Sequence, residues 1–192
     1  LSAAQLADPE LVQMVRQLLD KHGCDPTRLE LEITESHLMA DAAAATDRLT
    51  AIKALGLQVS IVDFGTGYSS LAYLNRFPID KLKIDQSFVR DMLDDPANLA
   101  IVRATIALGH TLGLSIVAEG VELLAQADQL TQLGCDELQG FYFSRPLTAQ
   151  DLARWLDRGQ RPLEQRKMAA TLEKPTGGEG FHSNNRAQES HA

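Results

Sequence analysis

The sequence predicts an α/β fold built on a parallel sheet of the barrel type. Short β-branched or apolar runs alternate with stretches of helical periodicity, and glycine ends most of the helical stretches. Polar residues follow the ends of the strand-like runs, which is where parallel α/β barrels carry their chemistry. A full barrel of eight strands needs about 250 residues, and this chain has 192. This length is enough for one well-buried domain.

The first third of the chain contains two helical stretches around one strand. Asp8 precedes a helical pattern that Gly23 ends, and residues 29–34 alternate with the period of two that is typical of a strand. Residues 41–55 are rich in alanine and read as a helix that stops at Gly56. This order predicts a helix–strand–helix unit.

The passage at residues 59–71, V-S-I-V-D-F-G-T-G-Y-S-S-L, organises the rest of the chain. A β-branched run ends on Asp63, and Gly65 and Gly67 then permit a tight loop or a close approach to a ligand. Ser69 or Ser70 is placed to cap the helix that follows. The pattern predicts strand, loop and helix, with an acid at the carboxyl end of the strand.

The second half continues the alternation. We expect strands at residues 79–85, 114–118 and 137–143, and helices after Pro96, at residues 121–133 and after Thr148. In the helix after Pro96 the predicted inward-facing residues are Ile101, Val102, Thr105 and Leu108. Residues 158–192 contain almost no large apolar side chains, so we expect a disordered tail beyond a domain at residues 1–157.

Composition limits the possible partners and compartments. The net charge of −8 argues against a nucleic-acid polymer or an anionic membrane surface as partner. No apolar run approaches the ~20 residues that span a bilayer. Cys24 and Cys135 form no metal or redox motif and read as reduced thiols. Because the chain begins at Leu1, we expect a cytoplasmic piece of a longer protein, either multidomain or membrane-anchored.

Acids, one lysine and one amide follow the predicted strands. Since parallel strands deliver their carboxyl ends to the same rim, these side chains are expected to converge. Carboxylates, an amide and an ammonium suit Mg²⁺ or Mn²⁺ and a phosphate substrate, whereas the His and Cys spacing of a zinc site is missing. The candidate residues are Glu32, Glu35, Asp63, Lys83, Asp85, Glu119, Glu122 and Gln139.

Each of these residues also has a purely structural interpretation. Glu32 and its neighbours would alone be solvated charges at a strand edge, and Lys81 and Lys83, which share a face, would be surface lysines. Asp85 is equally well placed to cap the next helix. The agreement of five strand ends favours a functional site. The D-F-G at Asp63 lacks the other kinase motifs, and the two nearby glycines lack the third of a dinucleotide-binding loop.

Five ordered motifs resemble a known family: E-I-T-E-S at residues 32–36, V-D-F-G-T-G-Y-S-S-L at 62–71, L-K-I-D at 82–85, V-A-E-G-V-E at 117–122 and L-Q-G-F-Y-F-S-R-P at 138–146. They are similar to those of the bacterial EAL-domain phosphodiesterases, which hydrolyse cyclic di-GMP to linear pGpG. The resemblance extends to about Trp155. It implies a (β/α)₈ barrel with one antiparallel strand, and Mg²⁺ or Mn²⁺ as cofactor.

The resemblance also implies roles for single residues. Glu32 and Asp63 match metal ligands, and Glu119 matches a further carboxylate of the metal site. Lys83 matches the lysine that orients the attacking water or the phosphate, and Gln139 matches an amide at the same place. Catalytic residues of this chain would then be Lys83, Glu119 and Gln139.

Further residues match positions around the ligand. Glu122 matches an acid that holds the loop after the D-D-F-G strand, and the loop at residues 63–70, with Gly65, Gly67 and Ser69, resembles one that couples the site to a homodimer. Arg145, with Phe141 and Tyr142, lies where contacts to cyclic di-GMP are expected, although Phe141 or Phe143 is also a candidate core residue.

Two departures from the family pattern leave the activity open. Val62 replaces the first acid of D-D-F-G and has no donor atom, which should weaken a divalent-cation site. The asparagine ligand and the Glu-Ala-Leu signature would precede Leu1, so we expect the first barrel strands to be missing from this chain. The alternatives are an impaired phosphodiesterase, an inactive module that binds cyclic di-GMP as a sensor, and a fragment that folds only within a longer protein.

Overall fold

A computed structural model describes residues 1–66 and 74–157 of the chain. Five strands form one parallel sheet in which spatial order follows chain order, as expected of consecutive βα units. The predicted α/β class is thus confirmed. The strands are β1 (Glu30–Thr34), β2 (Gln58–Phe64), β3 (Lys81–Ile84), β4 (Ser115–Ala118) and β5 (Glu137–Leu138).

Helices connect the strands and precede the first one. They are α1 (Ala3–Ala7), α2 (Leu11–His22), α3 (Glu35–Ala40), α4 (Ala42–Lys53), α5 (Gln86–Asp91), α6 (Pro96–Thr111), α7 (Leu124–Gln132) and α8 (Ala149–Asp157), with a 3₁₀ turn at Pro26–Arg28. Within residues 1–66 and 74–157, none of these helices combines the length and the apolar character of a membrane span. Gly67, Ser69 and the helix predicted after them lie outside the described residues, as does the tail from residue 158.

The helix ends form where the sequence places capping residues. Asp41 and Asp95 each accept a hydrogen bond from a backbone N–H in the first turn of the helix that follows. Thr148 accepts one from the N–H of Asp151 at 3.2 Å. Gly23 ends α2 in the left-handed conformation, at φ 60°. The predicted starts of α4, α6 and α8 and the predicted end of α2 are confirmed, whereas α2 begins at Leu11 rather than directly after Asp8.

The two faces of the sheet differ sharply in chemistry. Alternation along paired strands separates an apolar face, which packs in the hydrophobic core, from a polar one. The polar face carries Glu30, Glu32, Ser60, Val62, Lys81, Lys83, Ser115, Val117 and Glu137. The functional site is therefore expected on the polar face.

Two details of the second half differ from the sequence-based expectation. The last strand ends at Leu138, because Gly140 packs so closely on the Val121 backbone that a Cβ there would lie 2.1 Å from the Val121 carbonyl oxygen. This contact turns the chain away from the sheet. In α6 the inward stripe runs through Val102 and Ile106, whereas Ile101 is 37% exposed at its margin. The expectation that Ile101 faces inward was wrong.

Two aspartates tie neighbouring strands together at the amino edge of the sheet. Asp80 precedes β3 and accepts a hydrogen bond from the Val59 N–H of β2 at 2.8 Å. Asp136 precedes β5 and does the same for the Ile116 N–H of β4 at 2.8 Å, while also pairing with His110 at 2.9 Å. Each carboxylate satisfies a backbone donor at the start of a buried strand.

Asp136→Ala is expected to lower the free energy of unfolding by about 1–2 kcal/mol, since it orphans a buried N–H donor. The Ile116 N–H, and after it His110, hold the pKa of Asp136 below its ordinary value. A lowered pKa in the folded state means that the stabilisation is present above about pH 4 and is lost as the pH falls through the lowered value. Urea unfolding at a series of pH values checks this. The exposed Asp128→Ala serves as control, and a pH-independent loss would contradict the assignment.

Candidate functional site

The centre of the site is one buried lysine between two carboxylates. Lys83, only 4% exposed, donates to Glu119 at 2.6 Å and to Glu32 across the polar face of the sheet. Glu32 lies on β1, Lys83 on β3, and Glu119 directly after β4. Three side chains that are up to 87 residues apart in sequence thus meet because parallel strands place them at neighbouring levels. We call Glu32, Lys83 and Glu119 the upper triad.

Lys83 keeps its positive charge at neutral pH. Burial lowers its pKa, but hydrogen bonds to Glu119 and Glu32 raise it by more, so the pKa lies above the ordinary value. An ammonium that is protonated throughout the neutral range does not act as a general base. Lys83 is instead suited to stabilise negative charge that develops on a phosphate.

A second ionic layer lies beneath the upper triad on the same face. Lys81 Nζ contacts Glu137 at 2.8 Å and Glu30 at 3.1 Å, and we call these three residues the lower triad. The hydrogen bond to Glu137 is the largest contribution that raises the pKa of Lys81. The lower triad takes its residues from the alternate strands β1, β3 and β5, the layering typical of the interior of a parallel barrel. The upper triad therefore stands on a second charged layer rather than on an apolar core.

Val62 and Asp63 form an irregularity at the end of β2. Pairing with β3 slips between Ile61 and Phe64, and Asp63 has a positive φ of 57°, which is uncommon for any residue other than glycine. Val62 pairs with Thr34 of β1 and lies on the polar face beside the upper triad. The strand thus places an apolar side chain on the face that carries the upper triad.

The carboxylates of the upper triad are the type of ligand that a hard divalent cation prefers, but two of them are too few for a complete site. Glu32 and Glu119 converge on one point, and oxygen donors are what Mg²⁺ and Mn²⁺ prefer. In the part of the chain that the structure describes, no three His, Cys, Asp or Glu side chains are grouped as metal ligands. A cation would therefore take up the two glutamates of the upper triad in competition with Lys83, and a further donor is needed.

Glu35 contacts the first residues of the loop after β2. The Gly65 N–H lies 3.5 Å from Glu35 Oε2, at the long limit of a hydrogen bond, and Glu35 is 6% exposed. Glu122 is exposed, and its backbone N–H donates to Gln126 Oε1 at 2.9 Å. Residues 67–73 of the loop lie outside the described part of the chain, so the role expected of Glu122 stays a prediction.

A cleft of about 600 Å³ adjoins the end of β5. It is lined by Gln139, Arg145, Phe141 and Trp155, among others, and the Arg145 guanidinium lies 4.7 Å from the centre of the Phe141 ring. Phe141 is 42% exposed, whereas Tyr142 is buried. Tyr142 is thus buried in the core, Phe143 packs against it half-buried, and Phe141 is an exposed aromatic ring at the cleft.

The structure brings together part of the predicted site. Glu32, Lys83 and Glu119 contact one another, and Gln139 follows β5 next to Glu119, with its N–H bonded to Ala118 at 2.8 Å. Asp63 lies at the neighbouring strand end, outside the upper triad. Asp85 caps α5 through the N–H of Ser87, as its structural interpretation predicts. The lower triad was missed, although the alternation in E-L-E and K-L-K was a usable signal.

Comparison with known proteins agrees with this geometry. The EAL domain family model matches residues 1–146. MucR of Pseudomonas aeruginosa, named a bifunctional diguanylate cyclase/cyclic di-GMP phosphodiesterase, is 51% identical over 152 residues, which are 79% of this chain and 22% of MucR. The chain thus spans about a fifth of the length of this relative.

Solved structures give the same result. MucR phosphodiesterase in complex with c-di-GMP matches with a TM-score of 0.77 and 51% identity, over 79% of this chain and 62% of that chain. The EAL domain of Mycobacterium smegmatis DcpA matches with a TM-score of 0.79 and 41% identity, over 84% and 73%. Klebsiella pneumoniae BlrP1 with manganese and cyclic di-GMP matches at 0.68 and 35%, over 74% and 36%. With its motifs, its parallel sheet and its family match in agreement, this chain belongs to the EAL domain family.

Proposed function

We propose that this chain binds cyclic di-GMP and, with a divalent cation, hydrolyses it to linear pGpG. The proposal rests on the upper triad at the carboxyl edge of the sheet and on relatives named as cyclic di-GMP phosphodiesterases. BlrP1 has been solved with manganese and with calcium, which makes a divalent cation the natural cofactor candidate here. Mg²⁺ and Mn²⁺ both suit the carboxylates of the site.

Glu32, Asp63 and Glu119 would hold the cation in this proposal. A divalent cation there supplies charge neutralisation at the phosphodiester and a lowered pKa for a water molecule. Lys83 provides a fixed ammonium that stabilises the additional negative charge of the transition state. Gln139 and Arg145 line the cleft beside the site and are placed to orient the ligand.

The observation that carries the proposal is the contact of Lys83 with two carboxylates from separate strands. A lysine that only served solubility would be exposed on its own, whereas this one is buried and doubly paired. Val62 on the same face lowers the expected cation affinity, so the turnover of this chain should be small.

Purified chain incubated with cyclic di-GMP and Mn²⁺ tests the proposal, with pGpG followed by chromatography. The Val62→Asp chain is assayed in parallel, since it restores a donor to the polar face. We expect slow, Mn²⁺-dependent formation of pGpG that chelation with EDTA abolishes. Absence of pGpG from both chains would reject the hydrolytic proposal.

Val62 and the Arg145–Phe141 pair favour a second candidate, a module that binds cyclic di-GMP without hydrolysing it. A guanine base can stack on an aromatic ring or an arginine without any metal. Titration calorimetry in EDTA separates the two candidates. Tight binding in EDTA, combined with no turnover in Mn²⁺, favours the binding module.

Three further expectations remain proposals. The domain is proposed to extend over residues 1–157, in a cytoplasmic segment of a longer protein, and the tail expected after it lies outside the described residues. A homodimer is proposed through the loop at residues 63–70, of which residues 67–70 lie outside the described part of the chain. Analytical ultracentrifugation with and without cyclic di-GMP tests the dimer.

A further inference from the structure

A buried glutamine joins the segment that follows β3 to the segment that follows β4. Lys83 lies on β3, and Glu119 is the first residue after β4. Gln126 on α7 is 2% exposed, and its Oε1 accepts the backbone N–H groups of Glu122 and Leu123 at 2.9 Å each. Its Nε2 donates to the carbonyl oxygens of Val89 at 3.1 Å and Arg90 at 3.2 Å. All four hydrogen-bonding positions of this amide are thus satisfied by backbone.

The backbone partners belong to two segments that matter to the site. Val89 and Arg90 lie in the last turn of α5, whose carbonyls have no partner within the helix. That helix directly follows the strand of Lys83. Glu122 and Leu123 lie in the loop that begins at Glu119. Gln126 therefore fastens the loop of the glutamate to the helix behind the lysine.

Close packing at the start of the same loop limits it further. Gly120 has φ +69°, and a Cβ there would lie 2.5 Å from the Cβ of Gln86, the first residue of α5. The Glu119 N–H bonds to the Ile84 carbonyl at 3.2 Å. The loop is thus held at its start by the hydrogen bond of Glu119 and the packing of Gly120. Three residues after Glu119 it is held again, by the hydrogen bond of Glu122 to Gln126.

We infer that Gln126 is a positioning residue that keeps the Glu119 carboxylate on the Lys83 ammonium. It contacts neither group, and acts through the backbone of residues 119–123. The inference concerns the geometry of the metal-free chain. Gln126 lies outside the five family-like motifs, and the inference adds it to the residues of the proposed site. The inference holds or fails independently of hydrolysis.

A purely structural role for Gln126 predicts a different result. A buried amide that served only stability would, on removal, weaken the fold as any other buried hydrogen bond does. Asp136→Ala provides the matched comparison, because it orphans a backbone donor on the opposite edge of the same sheet. If only stability mattered, variants of similar stability would show the same Lys83–Glu119 contact.

The test is ¹⁵N NMR of the lysine ammonium groups in the metal-free full chain. We compare the native chain with Gln126→Leu, Gln126→Glu and Asp136→Ala, at a temperature well below the unfolding midpoint of each. An ammonium held in a buried ion pair exchanges its protons slowly with water. Gln126→Leu removes all four hydrogen bonds, whereas Gln126→Glu keeps the two that hold the Glu119 loop.

We expect the Lys83 ammonium protons to exchange about tenfold faster in Gln126→Leu, a change of about 1.4 kcal/mol. Gln126→Glu should lie between this variant and the native chain, and Asp136→Ala should match the native chain. If Gln126→Leu does not fold, the exchange rate of the Lys83 ammonium protons in Gln126→Glu decides. A rate above that of the native chain supports the inference, and a native-like rate rejects it. Native-like exchange in the Gln126 variants, or equal acceleration in Asp136→Ala, overturns the inference. Lack of pGpG formation by the native chain would reject the proposed function alone.

Discussion

Lys83→Met is expected to lower the turnover of cyclic di-GMP by about 100- to 1,000-fold, the usual cost of removing one group that stabilises developing charge. Methionine keeps the length and apolar body of the side chain but not the ammonium. The loss should fall on turnover rather than on ligand binding, because the charge of Lys83 counts most when negative charge builds up on the phosphate.

The same substitution is expected to make divalent-cation binding tighter. In the native chain Lys83 neutralises Glu32 and Glu119, the two carboxylates that a cation would need. Without the ammonium these acids repel each other, and a cation relieves that repulsion. A change of turnover and cation affinity in opposite directions is therefore the signature of this site.

Mn²⁺ titration calorimetry and pGpG formation measure the two quantities. Lys81→Met is the matched control, since it removes a paired lysine from the same strand and the same face but from the lower triad. We expect the control to lose stability and to retain most of the turnover. Equal loss of turnover in both variants would show that the polar face matters only as a scaffold.

Val62→Asp is expected to tighten Mn²⁺ binding by about 10- to 100-fold, the scale on which single changes at metal sites act. Val62 lies on the polar face at the end of β2, level with Thr34 of the neighbouring strand. An aspartate there adds a further carboxylate to the proposed ligands Glu32, Asp63 and Glu119. Cation affinity at such sites rises with the number and charge of the carboxylates.

The control for this prediction is Val62→Asn, because asparagine has nearly the same shape as aspartate but no negative charge. Mn²⁺ titration of the native chain and of both variants separates charge from size. Tighter binding in Val62→Asp alone supports the metal site at this edge of the sheet. Equal affinities in Val62→Asp and Val62→Asn would mean that Val62 does not face the cation, and the interpretation of its replacement would then fail.

Periodicity and capping residues predicted most of the fold because they are local signals. Asp41, Asp95 and Thr148 begin helices where the sequence places them, and Gly23 ends one. The short β5 was not predictable in this way. Its end is set by contact of Gly140 with Val121, which is nineteen positions earlier and visible only in the folded chain.

The candidate site was predictable only as a set of strand ends. Topology explains why Glu32, Lys83 and Glu119 meet, since parallel strands share one rim. Which acid contacts which backbone group depends on the packing of loops, and the contact of Glu35 with the Gly65 N–H was not expected from the sequence for that reason. Gln126 had no signal of its own, because an amide that binds only backbone leaves no spacing pattern in the sequence.

A crystal structure of the chain with Mn²⁺, with anomalous diffraction recorded at the manganese edge, decides whether Glu32 and Glu119 form a cation site. We predict an anomalous peak about 2.0–2.6 Å from oxygens of Glu32 and Glu119, the usual range for hard divalent cations. Lys83 should then have turned away from at least one of them. Manganese bound elsewhere, with both carboxylates still on Lys83 at saturating Mn²⁺, would contradict this prediction.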